Sequence, residues 1–216
     1  MNAKLQGKVV CVALNDSQQL ENLADTFEQP PYKALPTEPV LYFKPHNTWN
    51  QDNRAIEWPV KQNELVVGAS LAVIIGKRCC RVTQEEALNH VEGFALLHDF
   101  SLPEASYYRP DIKGKCIDKS ATISVPVLTS DLSNYKELEL VTAVNGSVKR
   151  YFPLSRLERD VEQLLEKISR IMTLEKGDVI AVGFAGERVE LQPYDHVIST
   201  LGEVLRLENI VAGGEE

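Results

Sequence analysis

The chain has 216 residues, of which 44% are hydrophobic and 25% charged, an ordinary balance for a soluble globular protein and enough for one substantial core. Its 31 acidic against 23 basic side chains give a formal net charge of -8, which repels phosphate backbones and anionic membrane surfaces and argues against nucleic acid or a membrane as partner. No apolar run approaches the roughly 18 residues of a membrane span, and the first thirty residues lack a signal-like apolar segment. The four cysteines (Cys11, Cys79, Cys80, Cys116) show no CxxC spacing and imply neither a zinc site nor a disulfide framework, so a cytoplasmic, reducing setting and a single domain over 1–216 are expected, with 213–216 frayed.

In chain order, Lys8 to Leu14 is a β-branched apolar run, and the polar Asn15-Asp16-Ser17 stops that strand and caps a helix from about Ser17 to Phe27. Pro30, Pro31, Pro36 and Pro39 then hold the backbone in an extended loop that leads to a strand from Val40 to Lys44. Glu64 to Gly76 reads as a long strand interrupted by the small residues Gly68, Ala69 and Ser70, which leave room for something beside them. Thr83, with Glu85 and Glu86 behind it, starts a helix, and Gly93 to Leu97 forms another buried strand.

Lys136 to Val144 alternates polar and apolar residues up to Asn145-Gly146, the strongest hairpin signal in the chain, with Val148 on the return strand. Leu157, Val161, Leu164, Leu165, Ile168 and Ile171 recur at helical spacing, predicting a surface helix over Leu154 to Met172 packed on a sheet. Gly177-Asp178 turns the chain into a strand over Val179 to Val182, and Leu191 to Leu207 supplies the closing strands. Many non-local strands with a few helices predict an α+β fold, mostly β, rather than a βαβ array.

Five blocks lie in a telling order: Pro39 to Pro45 (PVLYFKP), Leu71 to Gly76, Gly93-Phe94 through Asp99, Gly114-Lys115 to Asp118, and Leu174 to Asp178. On them the chain resembles the fumarylacetoacetate hydrolase superfamily over nearly its whole length, which implies a β-sandwich or roll with a few flanking helices. Val12 to Asn15, Pro31 to Ala34, Ser101 to Glu104, Tyr107 to Pro110 and Arg188 to Pro193 narrow the resemblance to the amino-terminal half of the bifunctional isomerase/decarboxylases of 4-hydroxyphenylacetate breakdown. Such enzymes decarboxylate 5-oxopent-3-ene-1,2,5-tricarboxylate and isomerise 2-hydroxyhepta-2,4-diene-1,7-dioate. A chelated Mg²⁺ or Mn²⁺ stabilises the enolate in both steps.

The resemblance places the family's three metal carboxylates at Gly68, Ser70 and Asp99, of which only Asp99 carries one here; His98 and Glu104 lie close enough in sequence to be considered as substitutes. The family's acid/base histidine falls near Gln19, and its Gly-Thr-Pro turn reads Gly183-Phe184-Ala185. Retained positions are Lys115, able to neutralise a developing enolate, and Asn15, Tyr108, Arg109 and Asp118 as substrate contacts, Arg109 pairing with a carboxylate. Each also has a structural alternative: a hydrogen bond to backbone for Asp99, an ion pair with it for Lys115 and Asp118, a subunit contact for Tyr108 and Arg109. Two readings stay open at this point. The chain is a subunit with a degenerate metal site that works with a complete homologous subunit or as a homodimer, or it is a stand-alone enzyme on a 2-oxo di- or tricarboxylic acid with atypical metal ligands.

Overall fold

A computed structural model describes residues 5–213 of the chain. Its strands are β1 (Val9–Ala13), β2 (Val40–Lys44), β3 (Ala55–Ile56), β4 (Leu65–Ile75), β5 (Val91–Ser101), β6 (Ala121–Ile123), β7 (Val127–Leu128), β8 (Glu139–Val144), β9 (Ser147–Pro153), β10 (Val179–Ala181), β11 (Val189–Leu191), β12 (His196–Leu201) and β13 (Leu205–Val211). The helices are α1 (Ser17–Phe27), α2 (Gln84–Ala87), α3 (Ile112–Lys115) and α4 (Val161–Ile171). The fold is α+β and mostly strand, as the sequence predicts.

One sheet runs β2-β1-β10-β4-β5-β6, with β11 added to β4 and β7 to β5; the other runs β3-β13-β12-β8-β9. Strands β4 and β5 form the spine of the first sheet, paired antiparallel with Gly68 opposite Asp99 and Ala72 opposite Ala95. Because side chains alternate across a strand, this register gives the two strands a common inner and outer face. Leu71, Val73, Phe94 and Leu96 lie on one face in the largest core cluster, with Leu164, Leu165 and Ile168 of α4 and Leu201 and Leu207 of the second sheet. Ala72, Ala95 and Leu97 lie on the other, with Cys11, Ala181 and Phe184. The patch made by Gly68, Ser70 and Asp99 belongs to that second face.

Three element boundaries differ from the sequence reading. The small residues at 68–70 do not interrupt β4, whose ladder with β5 runs unbroken from Val66 to Ile74. Residues 135–137 are a 3-10 turn rather than strand, so β8 starts at Glu139. The long helix expected from Leu154 begins instead at Val161, because Asp160 and Gln163 close a capping box, Asp160 Oδ1 accepting from the Gln163 amide at 2.9 Å and Gln163 Oε1 from the Asp160 amide at 3.1 Å. The residues before it are held extended by Asn15, whose Oδ1 accepts from the Arg159 amide and whose Nδ2 donates to the Arg159 and Val182 carbonyls.

The hairpin turn forms as predicted, with Asn145 at φ 51 and Gly146 at φ 78, the doubly left-handed pair that matches the twist of the flanking strands. Sequence reading does not pick out the short strands β3, β6 and β7, which offer too few residues to show an alternation. The part of the expected frayed terminus from 214 onward lies outside the described residues. Among the described residues, no helix is long and apolar enough to cross a membrane.

Candidate functional site

Asp99 leaves β5 on the face that β4 lines with Gly68 and Ser70, and it is fully buried. Three neighbours take its two oxygens. Lys44, from the end of edge strand β2 and itself fully buried, puts Nζ 2.7 Å from Oδ1; Arg188, immediately before β11, puts Nη1 2.8 Å from Oδ2; and the Tyr42 hydroxyl donates to Oδ2 at 2.6 Å. Lys44 is anchored further by the Phe100 and Lys115 carbonyls at 3.2 and 2.6 Å and by Ser120 Oγ at 2.8 Å. Arg188 donates in addition to the Asp99 carbonyl at 2.9 Å and to the Tyr42 oxygen at 3.0 Å.

The guanidinium reaches this position because nothing stands in its way. A Cβ on Gly68 would lie 2.8 Å from Phe184 Cδ1 and 3.0 Å from Arg188 Nη1, so the space beside the glycine is the space that Arg188 and Phe184 fill. Phe184 also offers its ring face to the guanidinium, with 4.6 Å from Cζ to the ring centre. Ser70 turns its hydroxyl inward, donating to the Leu71 carbonyl and accepting from the Gly183 amide.

Electrostatics follow from the geometry. Burial alone would raise the Asp99 carboxyl pKa, but the charges of Lys44, Arg188 and Lys115 outweigh it and hold the group well below the ordinary carboxylate range. Burial and the Asp99 charge push the Tyr42 phenol well up, so it stays a hydrogen-bond donor. Lys115, at the end of α3, is buried with Nζ 3.1 Å from Glu104 Oε2, out of line for a hydrogen bond, and 5.1 Å above the Tyr42 ring. Burial, then the nearby Arg188 charge, lower its pKa, while Asp99 and Glu104 pull the other way. Three cations, Lys44, Lys115 and Arg188, thus face two carboxylates, Asp99 and Glu104, leaving one net positive charge in a largely buried cluster.

Cavities flank the cluster on two sides. One, of about 590 Å³, is lined by Tyr42, Glu104, Asp111 and Lys115 together with the apolar Leu41, Phe43 and Ile112. The other, of about 510 Å³, has a mixed lining, with Asp16, Gln19, Glu104, Tyr107 and Arg156 beside Leu23 and Phe27. In it Gln19 Nε2 donates to the Tyr107 hydroxyl at 2.8 Å, and Asp16 is gripped by Arg156 and by the Gly186 amide.

The residues singled out from sequence divide accordingly. Asp99 and Lys115 belong to the cluster; Tyr108 and Arg109 are exposed and line the apolar cavity. Asn15 is not a substrate contact: it is fully buried, and its amide is consumed by the Arg159 and Val182 backbone. Asp118 lies exposed, away from the buried cluster, and accepts a hydrogen bond from Asn47 Nδ2 at 2.6 Å. His98 cannot stand in as a metal ligand beside Asp99, because the next residue along a strand points to the opposite face. Its Nδ1 meets Asn209 Oδ1 at 2.9 Å and its Nε2 meets Ser199 Oγ at 2.8 Å, between the two sheets. Glu104 is engaged by Lys115. Lys44 and Arg188 are the members of the cluster to which sequence reading assigns no role; the signal available is the room left by Gly68.

The family model for the fumarylacetoacetate (FAA) hydrolase C-terminal region matches residues 8–212. The chain belongs to the fumarylacetoacetate hydrolase family. It is 39% identical over 212 residues to the homoprotocatechuate catabolism bifunctional isomerase/decarboxylase of Escherichia coli, covering 98% of this chain and 49% of that protein. The chain therefore spans about half the length of the curated relatives it matches. In structure it resembles 2-hydroxyhepta-2,4-diene-1,7-dioate isomerase from Mycobacterium marinum (TM-score 0.79, 27% identity, 98% of this chain and 76% of that one). It also shares its fold with fumarylpyruvate hydrolase from Pseudomonas aeruginosa, solved with Mn²⁺ and pyruvate (TM-score 0.82, 20% identity, 95% and 89% covered).

The residues present here do not fit a divalent cation of the kind bound by that last relative. Hard cations of this size take several oxygen ligands in octahedral or larger shells. Asp99 offers oxygens already held by Lys44, Arg188 and Tyr42, Gly68 offers none, and the Ser70 hydroxyl is turned to the backbone. A metal ion placed against Asp99 would also sit among three like charges.

Proposed function

We propose that this chain is one half of a two-part isomerase/decarboxylase of aromatic-acid catabolism, acting on 2-oxo or 2-hydroxydienoate di- and tricarboxylates together with a homologous subunit that carries a complete carboxylate set. The observation that carries the reading is the filled site: Asp99 is paired with Lys44 and Arg188 on a face where Gly68 and Ser70 have no carboxylate, while the fold around it is intact. The relatives' doubled length supports it, because a second domain of the same kind is what those proteins have room for. In this arrangement the complete subunit supplies the enolate-stabilising cation. The present chain supplies a partner surface and the cavity that Lys115 and Arg109 line together with Glu104 and Asp111.

The stand-alone reading with atypical metal ligands fits less well, since His98 faces the other sheet and Glu104 is paired with Lys115. The test is oxaloacetate decarboxylation, with Mg²⁺ or Mn²⁺ supplied, by the purified chain alone and after mixing with a homologous subunit that has three carboxylates. Turnover that appears only in the complete subunit or the mixture, with a mixture rate above that of the complete subunit by itself, is the expected result. EDTA-sensitive turnover by the chain alone would overturn the proposal.

A further inference from the structure

We infer that Asn145, at the tip of the β8–β9 hairpin, is a modification site: its side-chain amide is lost to water by way of a cyclic imide with Gly146, at a rate that the contact between the hairpin tip and the 192–195 turn controls. The inference goes beyond the reading above and does not depend on it.

Asn145-Gly146 is the only Asn-Gly pair in the chain, and the chemistry belongs to that pair. The Gly146 amide nitrogen attacks Asn145 Cγ, a bond from that nitrogen to Cγ forms, the bond from Cγ to Nδ2 breaks, and ammonia leaves with the proton of the attacking nitrogen. Water then opens the five-membered imide at either carbonyl, giving aspartate or, with Cβ carried into the main chain, isoaspartate. Glycine permits the attack because it has no side chain to crowd its nitrogen, and nothing among the described residues lies within 4 Å of where a Gly146 Cβ would stand. The native geometry withholds the reaction. Asn145 Nδ2 donates to Asp195 Oδ1 at 2.7 Å, and Asn145 Oδ1 accepts from the His196 amide at 2.9 Å, so both polar atoms of the carboxamide are tied to the neighbouring turn. The main-chain amide of Asn145 donates in addition to the His196 carbonyl at 2.9 Å. With φ 51 at Asn145 and φ 78 at Gly146 the turn holds both residues left-handed, and closing the imide ring requires the backbone to rotate out of that geometry. Asp195 is itself fixed, its Oδ2 accepting from the Gln192 amide at 2.7 Å and its carbonyl from the Val211 amide at 2.8 Å, so the clamp reaches from the hairpin tip to the end of β13. Reaction undoes the clamp for good. It puts a carboxylate where a donor faced the Asp195 carboxylate, and isoaspartate adds a main-chain atom to a two-residue turn whose length sets the register of the hairpin.

The experiment is peptide mapping by mass spectrometry on the full chain incubated in mildly alkaline buffer, native and in guanidinium chloride, with the aspartate and isoaspartate peptides resolved by chromatography. The expected result is an intact Asn145 in the native parent over a period in which the denatured chain converts to a mixture of both products. Native Asp195→Ala, which loses one charge-assisted hydrogen bond of the clamp, should convert at least about tenfold faster than the native parent. Asn145→Asp, the aspartate product made directly, should unfold at a lower urea midpoint than the parent. Equal rates in the native and denatured parent, no conversion in the denatured chain, aspartate without isoaspartate, an Asp195→Ala variant that reacts no faster than the parent, or an Asn145→Asp variant as stable as the parent would each overturn the inference. If Asp195→Ala does not fold, the two rates of the parent and the stability of Asn145→Asp decide.

Discussion

Truncating Asp99 to alanine separates a structural ion cluster from a vacant metal site by the sign of the effect. Among the described residues, Asp99 is the carboxylate in contact with Lys44 Nζ and with the Arg188 guanidinium, and its side chain and that of Lys44 are fully buried. Removing it leaves two cations in the interior without a partner, a change that costs about 3–5 kcal/mol in comparable buried pairs. For a chain of this length each kcal/mol lowers Tm by about 2–4 °C, so Tm should fall by roughly 6–20 °C. Urea unfolding near neutral pH with EDTA present reads the cost directly, as a shift in midpoint at constant slope. A carboxylate waiting for a metal would respond the other way, because taking one negative charge from a metal-free cluster of carboxylates relieves repulsion. A loss under about 1 kcal/mol, or a gain, would refute the argument. The pH dependence is a second check: with the folded pKa held well below the unfolded value, the contribution of Asp99 is complete above about pH 4 and disappears as pH falls through the folded value. The difference between variant and parent should therefore be level from neutral pH to about 4 and shrink only in stronger acid.

His98 sets a different acid limit. Burial lowers its pKa to about 4, only partly offset by its bond to Asn209, so the folded state holds it neutral while the unfolded chain protonates below about pH 6.5. Its contribution is full above that value and is lost as pH falls towards 4, by about 3 kcal/mol in all, and a His98→Gln variant should show a shallower fall in urea midpoint across that window. An equal slope in both proteins would count against the assignment. Asp160→Ala removes the capping box of α4 and should cost about 1 kcal/mol by the same measurement; no change would mean that packing of Leu164, Leu165 and Ile168 alone sets the start of the helix.

Legibility in the sequence follows how local the determining physics is. The NG turn, the capping residues ahead of α1 and the apolar run of β4 declare themselves within a few residues, and the structure has them where the sequence predicts. The start of α4 is misplaced from sequence because Leu157 falls on the helical period by spacing, while the Asp160–Gln163 box and the grip of Asn15 on Arg159, more than a hundred residues away in sequence, decide the boundary. The candidate site is legible on one side only. Gly68, Ser70 and Asp99 can be read as a depleted carboxylate set, but the cations that meet Asp99 come from β2 and from the residue just before β11, and no spacing rule joins residues 44, 99 and 188. Asn15, conversely, is a substrate contact only by the resemblance, and the fold shows its amide spent on backbone.

The direction of His98 follows from pairing alone, which shows why substitute ligands are hard to recruit in this fold. In the β4–β5 ladder, positions 68, 70, 97 and 99 share one face and 69, 98 and 100 the other, so a residue adjacent to a lost ligand is on the wrong side by construction. The hydrogen bonds on the far side fix even its tautomer. Asn209 Nδ2 donates to the Gln51 and Arg54 carbonyls, so Asn209 Oδ1 is an acceptor, His98 Nδ1 carries the proton, and Nε2 accepts from Ser199. The cation that meets Asp99 Oδ2 comes from the segment beside β4, where Arg188 immediately precedes β11. The guanidinium sits against a residue without a side chain at 68, because a Cβ there would meet both Arg188 and Phe184. Gly68, Phe184 and Arg188 consequently form one steric unit. A side chain placed at position 68 on its own would collide with the guanidinium and the Phe184 ring, and removal of Arg188 on its own would leave a hole beside Asp99, so the three residues constrain one another.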